Sequence, residues 1–133
     1  MSEILIDHVL LDRVTKAAKE SLRLRMNYNF HESLSSPSQR LLNALEPGTV
    51  LPIHRHRHTA ETYVLLRGRM RVLFYDDDKK EINRYELDPA EGTYGVNIPR
   101  GQWHTIEVLC AGTVIFEVKD GTYIHIAPND MLE

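Results

Sequence analysis

Cysteine is almost absent: Cys110 is the only thiol in 133 residues. An internal disulfide is therefore excluded, and so is a structural zinc site built on several thiolates. Cys110 lies in the apolar run of residues 108–111, which predicts a buried, inert thiol. Long hydrophobic runs are also missing. No stretch approaches the roughly 18 consecutive apolar residues of a membrane-spanning helix. The start, MSEILIDHVLLDR, has neither the basic opening nor the unbroken apolar core of a signal peptide. The expectation is a soluble, cytoplasmic protein with no membrane partner. Nor is there an excess of positive charge: 16 Lys and Arg against 19 Asp and Glu leave a formal charge of −3, with both signs interspersed. Nothing in that balance suits the neutralisation of a run of phosphates, so nucleic acid is not an expected partner. Repeats, low-complexity tracts and linkers are lacking too, and the length suits one structural domain.

What is present is a concentration of ligand chemistry in residues 48–68, GTVLPIHRHRHTAETYVLLRG. Alternate side chains of a strand share a face, so His54 and His56 point the same way and two imidazoles can grip one ion. Glu61 follows across residues 57–60, a segment short enough to turn the chain and bring a carboxylate in from the next strand. His104 is a fourth donor, carried by PRGQWH at residues 99–104, where Pro99 presets a turn and Gly101 permits an otherwise strained backbone. An HxH alone means little, because roughly a third of shuffled chains of this composition would contain one. Joined to Glu61, the flanking Gly48 and Gly68 and a downstream PxGxxH, the pattern is far rarer. It makes His54, His56, Glu61 and His104 the candidate metal ligands. Imidazole and carboxylate donors suit one divalent zinc, iron, manganese, nickel or copper ion. Three histidines and one glutamate leave a six-coordinate ion with two positions open to water, substrate or dioxygen.

Around this stretch the hydrophobic period changes once. In residues 10–26, Leu10, Leu11, Val14, Ala17, Ala18, Leu22 and Met26 recur at intervals of three and four, which predicts an amphipathic helix packed on the rest of the domain. Residues 3–6 could form a short strand, paired with another subunit. SLSSPSQ at residues 33–39 reads as a loop. Thereafter nine short strands are predicted, at residues 41–45, 54–58, 62–66, 70–75, 82–87, 94–98, 104–109, 114–118 and 123–126, separated by Gly, Pro and Asp turn signals. Many short strands at this spacing predict a mainly β sandwich or barrel. Asp76, Asp77 and Asp78 lack the spacing and closing glutamate of a calcium loop and read as a solvated hairpin tip.

Gly48, His54, His56, Glu61 and Gly68 fit the first cupin motif at every spacing, and Pro99, Gly101 and His104 fit the core of the second. Gly92 stands one residue too far from Pro99 for the leading glycine of that second motif, and Val108 replaces its asparagine. The chain therefore resembles the cupin superfamily. That resemblance implies a single-domain double-stranded β-helix, or jelly-roll barrel, with an N-terminal amphipathic helix. Residues 1–38 would pack as strand, helix and loop on a barrel of residues 39–133. Longer pieces, NYNFH at 27–31, QRLLNALEPGT at 39–49, ETYVLLRGR at 61–69, IPRGQWHT at 98–105 and FEVKDGTY at 116–123, are similar to the WbuC-type cupin fold metalloproteins. Thr122 departs from that pattern where proline would stand, as does a tail that stops soon after Tyr123. This resemblance implies the same four ligands and a link to bacterial surface-polysaccharide gene clusters; the cupin resemblance, with the candidate strand at residues 3–6 as a route to pairing, implies a homodimer.

Two functions fit. One is a metal-dependent enzyme of isomerase, lyase or oxygenase type acting on a small polar or sugar-like substrate; the other is a non-catalytic, metal-dependent small-ligand-binding module. No acid or base beyond the ligands can be named, since Glu107 and Glu117 lie on strands whose register is open. His58 extends the histidine row but falls where the chain should turn, and reads as a solvent-exposed loop residue. Arg55 and Arg57 should point away from the metal. Tyr63 shares the parity of Glu61 and either faces the cavity or packs in the core, while Trp103 points outward or into the rim. Gln102 shares the parity of His104 and could touch a metal-bound ligand. His31 and Asn29 either cover the barrel mouth or belong to a loop capping the helix; His8 and His125 read as surface or packing residues.

Overall fold

A computed structural model describes residues 2–132. The first element, α1 (His8–Glu20), starts where the Asp7 carboxylate accepts the Leu10 N–H at 3.0 Å, a side-chain N-cap. Its buried stripe is Leu10, Leu11, Val14 and Ala18. The helix stops at Glu20, short of the predicted residue 26. Leu24 takes a left-handed backbone (φ 57°), and Arg25–Asn29 leaves as strand β1, so Leu22 is fully exposed rather than part of the stripe. Pairing with β2 (Gln39–Leu45) overrides the helical period there.

The remaining strands are β3 (Ile53–His54), β4 (Glu61–Arg67), β5 (Met70–Tyr75), β6 (Glu81–Leu87), β7 (Gly95–Ile98), β8 (Trp103–Val108), β9 (Thr113–Lys119) and β10 (Met131–Leu132). They form two five-stranded antiparallel sheets, ordered β1-β2-β9-β4-β7 and β10-β3-β8-β5-β6. Helix α1 covers the outer face of the first sheet against Leu42, Ala44 and Val114, with Tyr28, Phe30 and Phe116 at the margin. Between the sheets Leu45, Leu65, Met70, Val72, Leu87 and Ile115 form the inner core. Each fully buried side chain of this kind contributes about 2 kcal/mol.

Three further stretches differ from expectation. Residues 54–58 are not one strand: β3 ends at His54, because Arg55 and Arg57 both turn to the Asp130 carboxylate (2.7 and 2.6 Å) and bend the chain out of the sheet. Residues 123–126 form no strand; they run as a strap tied by the Tyr123 N–H to the Leu34 carbonyl. Residues 3–6 are likewise not a strand, and Ile4, Leu5 and Ile6 are exposed.

The interior is graded along its length. On neighbouring strands β2, β9 and β4, the inward row Leu45, Thr113 and Ile115, Leu65 is apolar or small at one end. Two to six residues further along, the same faces carry Gln39, Glu117, Lys119, Glu61 and Tyr63. One end of the barrel is therefore packed, and the other is built to face polar contents.

Candidate metal centre

His54 and His104 are cross-strand partners on β3 and β8, with ring centroids 4.4 Å apart. Glu61 opens β4 in the opposite sheet, and His56 lies just after β3. The Gly101 N–H donates to the His56 carbonyl at 2.8 Å, so the turn that delivers His104 also holds His56. Gly101 has φ +76°, and a Cβ there would meet nothing within 4 Å; the glycine serves the backbone angle alone.

The imidazoles are oriented by the backbone. His54 Nδ1 lies 2.8 Å from the Pro52 carbonyl and His104 Nδ1 2.9 Å from the Gln102 carbonyl. A carbonyl only accepts, so each ring carries its proton on Nδ1 and turns the Nε2 lone pair inward. His56 Nε2 stands 2.7 Å and His104 Nε2 3.7 Å from Glu61 Oε1. One ligand atom from each of the four side chains lies within 4.8 Å of the others. His104 Nε2 and Glu61 Oε1 are buried with no aligned hydrogen-bond partner among the described residues. Converging lone pairs left unpaired in a buried place are costly unless a cation joins them. The four residues form a cluster able to bind one metal ion.

Electrostatics keep these donors ready. Burial, then the neighbouring His104, pulls the His54 imidazole down to about 4, and burial lowers His104 too. Burial opposes ionisation of Glu61, but the His56 ring, Lys119 and His104 outweigh it and hold the carboxyl at about 2. At neutral pH His54 and His104 are therefore neutral imidazoles and Glu61 a carboxylate, the states that bind a metal.

A cavity of about 260 Å³ opens over the cluster, with His54, His56 and Glu61 in its wall. Tyr63 lies in that wall as well as in the core, buried to 5% exposure. Glu117, which pairs in register with Tyr63, also faces in; Asn43 Nδ2 donates to it at 3.3 Å, and Lys119 Nζ stands 3.6 Å away. Burial, then the nearby Glu61, raises the Glu117 carboxyl above its ordinary range, and burial raises the Tyr63 hydroxyl well above its own. Glu107 instead faces solvent and pairs with Arg71 at 2.7 Å.

Other residues find plain positions. His58 is exposed and outside the cluster. Gln102 donates to the Tyr75 and Trp103 carbonyls, away from the cavity. Trp103 is buried, with Arg55 and Lys79 over its ring at 4.4 and 4.5 Å. Cys110 is half-buried, its Sγ 3.8 Å from Thr113 Oγ1. Asp76 accepts the Asp78 and Lys80 N–H groups, closing the hairpin tip. His8 is exposed at the start of α1, and His125 is exposed beside the Tyr123 hydroxyl. His31 and Asn29 line the cavity. Sequence reasoning missed the inward placement of Glu117, Lys119 and Asn43; a fixed strand register was the signal needed.

Residues 6–87 match the family model described as Domain of unknown function (DUF6016). No curated protein matches the chain. Among solved structures, the capsular polysaccharide assembling protein CapF from Staphylococcus aureus superposes with a TM-score of 0.63 at 22% identity, over 80% of this chain and 30% of that one. Oxalate decarboxylase from Bacillus subtilis gives 0.58 at 20% identity, over 82% of this chain and 27% of that one. The Schizosaccharomyces pombe Cnp3 cupin domain gives 0.58 at 10% identity, over 73% and 64%. The chain thus spans under a third of the first two. At these identities the likeness is one of fold: a mainly β cupin jelly roll with one helix.

Proposed function

We propose that this chain, which belongs to the family described as Domain of unknown function (DUF6016), is a metal-dependent enzyme acting on a small polar, sugar-like substrate. The observation that carries this reading is the four-donor cluster beside a cavity whose wall also holds Glu117 and Tyr63. His54, His56, Glu61 and His104 would hold the ion, the histidines fixed by backbone carbonyls and the Gly101 turn. A bound divalent ion supplies Lewis acidity, polarising a carbonyl or hydroxyl or lowering the pKa of a water. The remaining work falls to the protein. Glu117, its carboxyl biased toward the protonated form by burial, can give a proton to a substrate oxygen and take one from carbon or oxygen. Tyr63 keeps its hydroxyl proton and serves as a hydrogen-bond donor. Isomerisation by proton transfer and lyase chemistry use these groups directly; oxygenase chemistry would follow from ferrous iron.

The similarity to WbuC-type proteins supports a place in surface-polysaccharide metabolism, and a fold neighbour is itself described as a capsular polysaccharide assembling protein. The exposed Ile4, Leu5 and Ile6 support a homodimer. No described helix is long and apolar enough to cross a membrane, in keeping with action in the cytoplasm.

The test is to follow aldoses, ketoses and sugar acids by proton NMR with metal-loaded and chelator-stripped protein. Turnover that vanishes on stripping and returns with one equivalent of metal is expected. Turnover that survives stripping contradicts the reading, and saturable binding without turnover favours the non-catalytic module.

A further inference from the structure

The part of the cavity wall carried by β1 and its neighbours has a chemistry that the metal does not explain. On β1 the alternate residues Arg25, Asn27 and Asn29 all face the cavity, while Tyr28 packs toward α1. A strand over a barrel interior ordinarily turns apolar residues inward; this one turns none. Asn43 stands opposite Asn27 in register, and its Oδ1 is buried with no partner while its Nδ2 is held by Glu117.

His31 supplies a second orphan. It is 8% exposed, and its Nδ1 lies 3.1 Å from both the Arg40 backbone nitrogen and the Arg40 carbonyl oxygen. The Arg40 backbone therefore engages Nδ1 in either tautomer, and Nε2 is the nitrogen left to donate or to accept. That Nε2 is buried without a partner in a residue lining the cavity. An orphan imidazole nitrogen and an orphan amide oxygen on the same wall match hydroxyls, which both accept and donate.

Charge points the same way. The cavity is lined by three cations, Arg23, Arg25 and Lys119, against two carboxylates, Glu61 and Glu117, in a protein of formal charge −3. Lys119 has Glu117 within 3.6 Å. Arg23 and Arg25 have no carboxylate within 4 Å among the described residues. Arg25 instead bonds the Thr49 hydroxyl and the Val50 carbonyl through one terminal nitrogen, leaving its other donors free.

We propose that the cavity takes an anionic carbohydrate, with hydroxyls met by His31 and Asn43 and one carboxylate or phosphate held by Arg23 and Arg25. This inference rests on the substrate-cavity reading above and narrows its ligand. Calorimetric titration of the metal-loaded protein with D-glucuronate, D-glucose 6-phosphate and D-glucose tests it. At least one anion should bind tenfold or more tighter than glucose, and which one does so separates carboxylate from phosphate recognition. Arg23→Gln, at an exposed position, and Arg25→Gln should each reduce that advantage threefold or more. His31→Phe should weaken every sugar that binds without changing the metal count per chain. Equal affinity for glucose and both anions, binding of none of the three, or an advantage that survives both arginine substitutions together overturns the inference. Metal content, measured separately by mass spectrometry, separates the two readings. An anion preference in protein that holds no metal retains the ligand class and contradicts the metal centre; full metal with no preference does the reverse.

Discussion

The Gly101 N–H donates to the His56 carbonyl at 2.8 Å, joining the turn before His104 to the segment after His54. The two motifs are thus tied through their backbones, independently of any ion. A substitution at Gly101 strains this tie without creating a clash, because a Cβ there meets nothing within 4 Å while the backbone has φ +76°. Gly101→Ala should cost about 1–2 kcal/mol, the penalty of a left-handed non-glycine residue. Gly68→Ala should cost more, because its Cβ would lie 2.6 Å from the Thr113 Cα in addition to a φ of +94°. Urea unfolding of the two variants checks the order.

Glu117 is an inward-facing carboxyl whose burial costs stability. Burial raises its pKa in the fold, so its ionised form is disfavoured there relative to the unfolded chain. The penalty is present above the folded pKa and is relieved as pH falls toward the ordinary carboxylate value. Glu117→Gln keeps an acceptor for Asn43 and removes the charge. It should raise the thermal midpoint at pH 7 and abolish turnover in the proton-transfer assay; a lowered midpoint would contradict the placement.

His54 and Glu61, two of the four candidate ligands, have the opposite dependence in metal-free protein. His54 is pulled to about 4 in the fold from a reference of 6.5, so the unfolded chain binds the proton first as pH falls. The stability is full above 6.5 and is lost progressively down to about pH 4, by about 3 kcal/mol. Glu61, held at about 2 against 4.5, continues the loss in the window below. Denaturant midpoints across pH 7 to 4, measured in the Glu117→Gln background to remove its counter-trend, should fall steadily.

Asp130 fastens the C-terminal strap. Its carboxylate takes Arg55 at 2.7 Å and Arg57 at 2.6 Å, and its carbonyl accepts the Arg55 N–H at 3.0 Å. Tyr123, Ile124 and Ile126, earlier on the same strap, line the cavity. Asp130→Ala leaves two guanidinium groups without their partner and should cost about 1–3 kcal/mol. Hydrogen exchange in residues 122–130 should speed up, with Asp130→Asn intermediate.

The fold and the cluster were legible in different ways. His54, His56, Glu61 and His104 could be singled out because short-range spacing and the two motifs are local properties, and the structure brings the four together. The end of α1 was not legible: Leu22 and Met26 continue the helical period, and only pairing of Arg25–Asn29 with β2 shows that the chain has turned. Glu107 and Glu117 are equally strand-like in sequence. Their fates separate through register alone, one opposite Arg71 at the surface and one opposite Tyr63 inside. The polar wall of Asn27, Asn29 and Asn43 was hidden for the same reason, since cross-strand neighbours lie far apart in sequence.

The central claim is that these four side chains hold one metal ion. Elemental analysis of protein purified from its native host, beside the His104→Ala and His58→Ala variants, tests it most directly. The account predicts one transition-metal ion per chain in the native protein and in His58→Ala, and little or none in His104→Ala. Metal-free native protein that takes up none on reloading, or loss of metal from His58→Ala as complete as from His104→Ala, would contradict it.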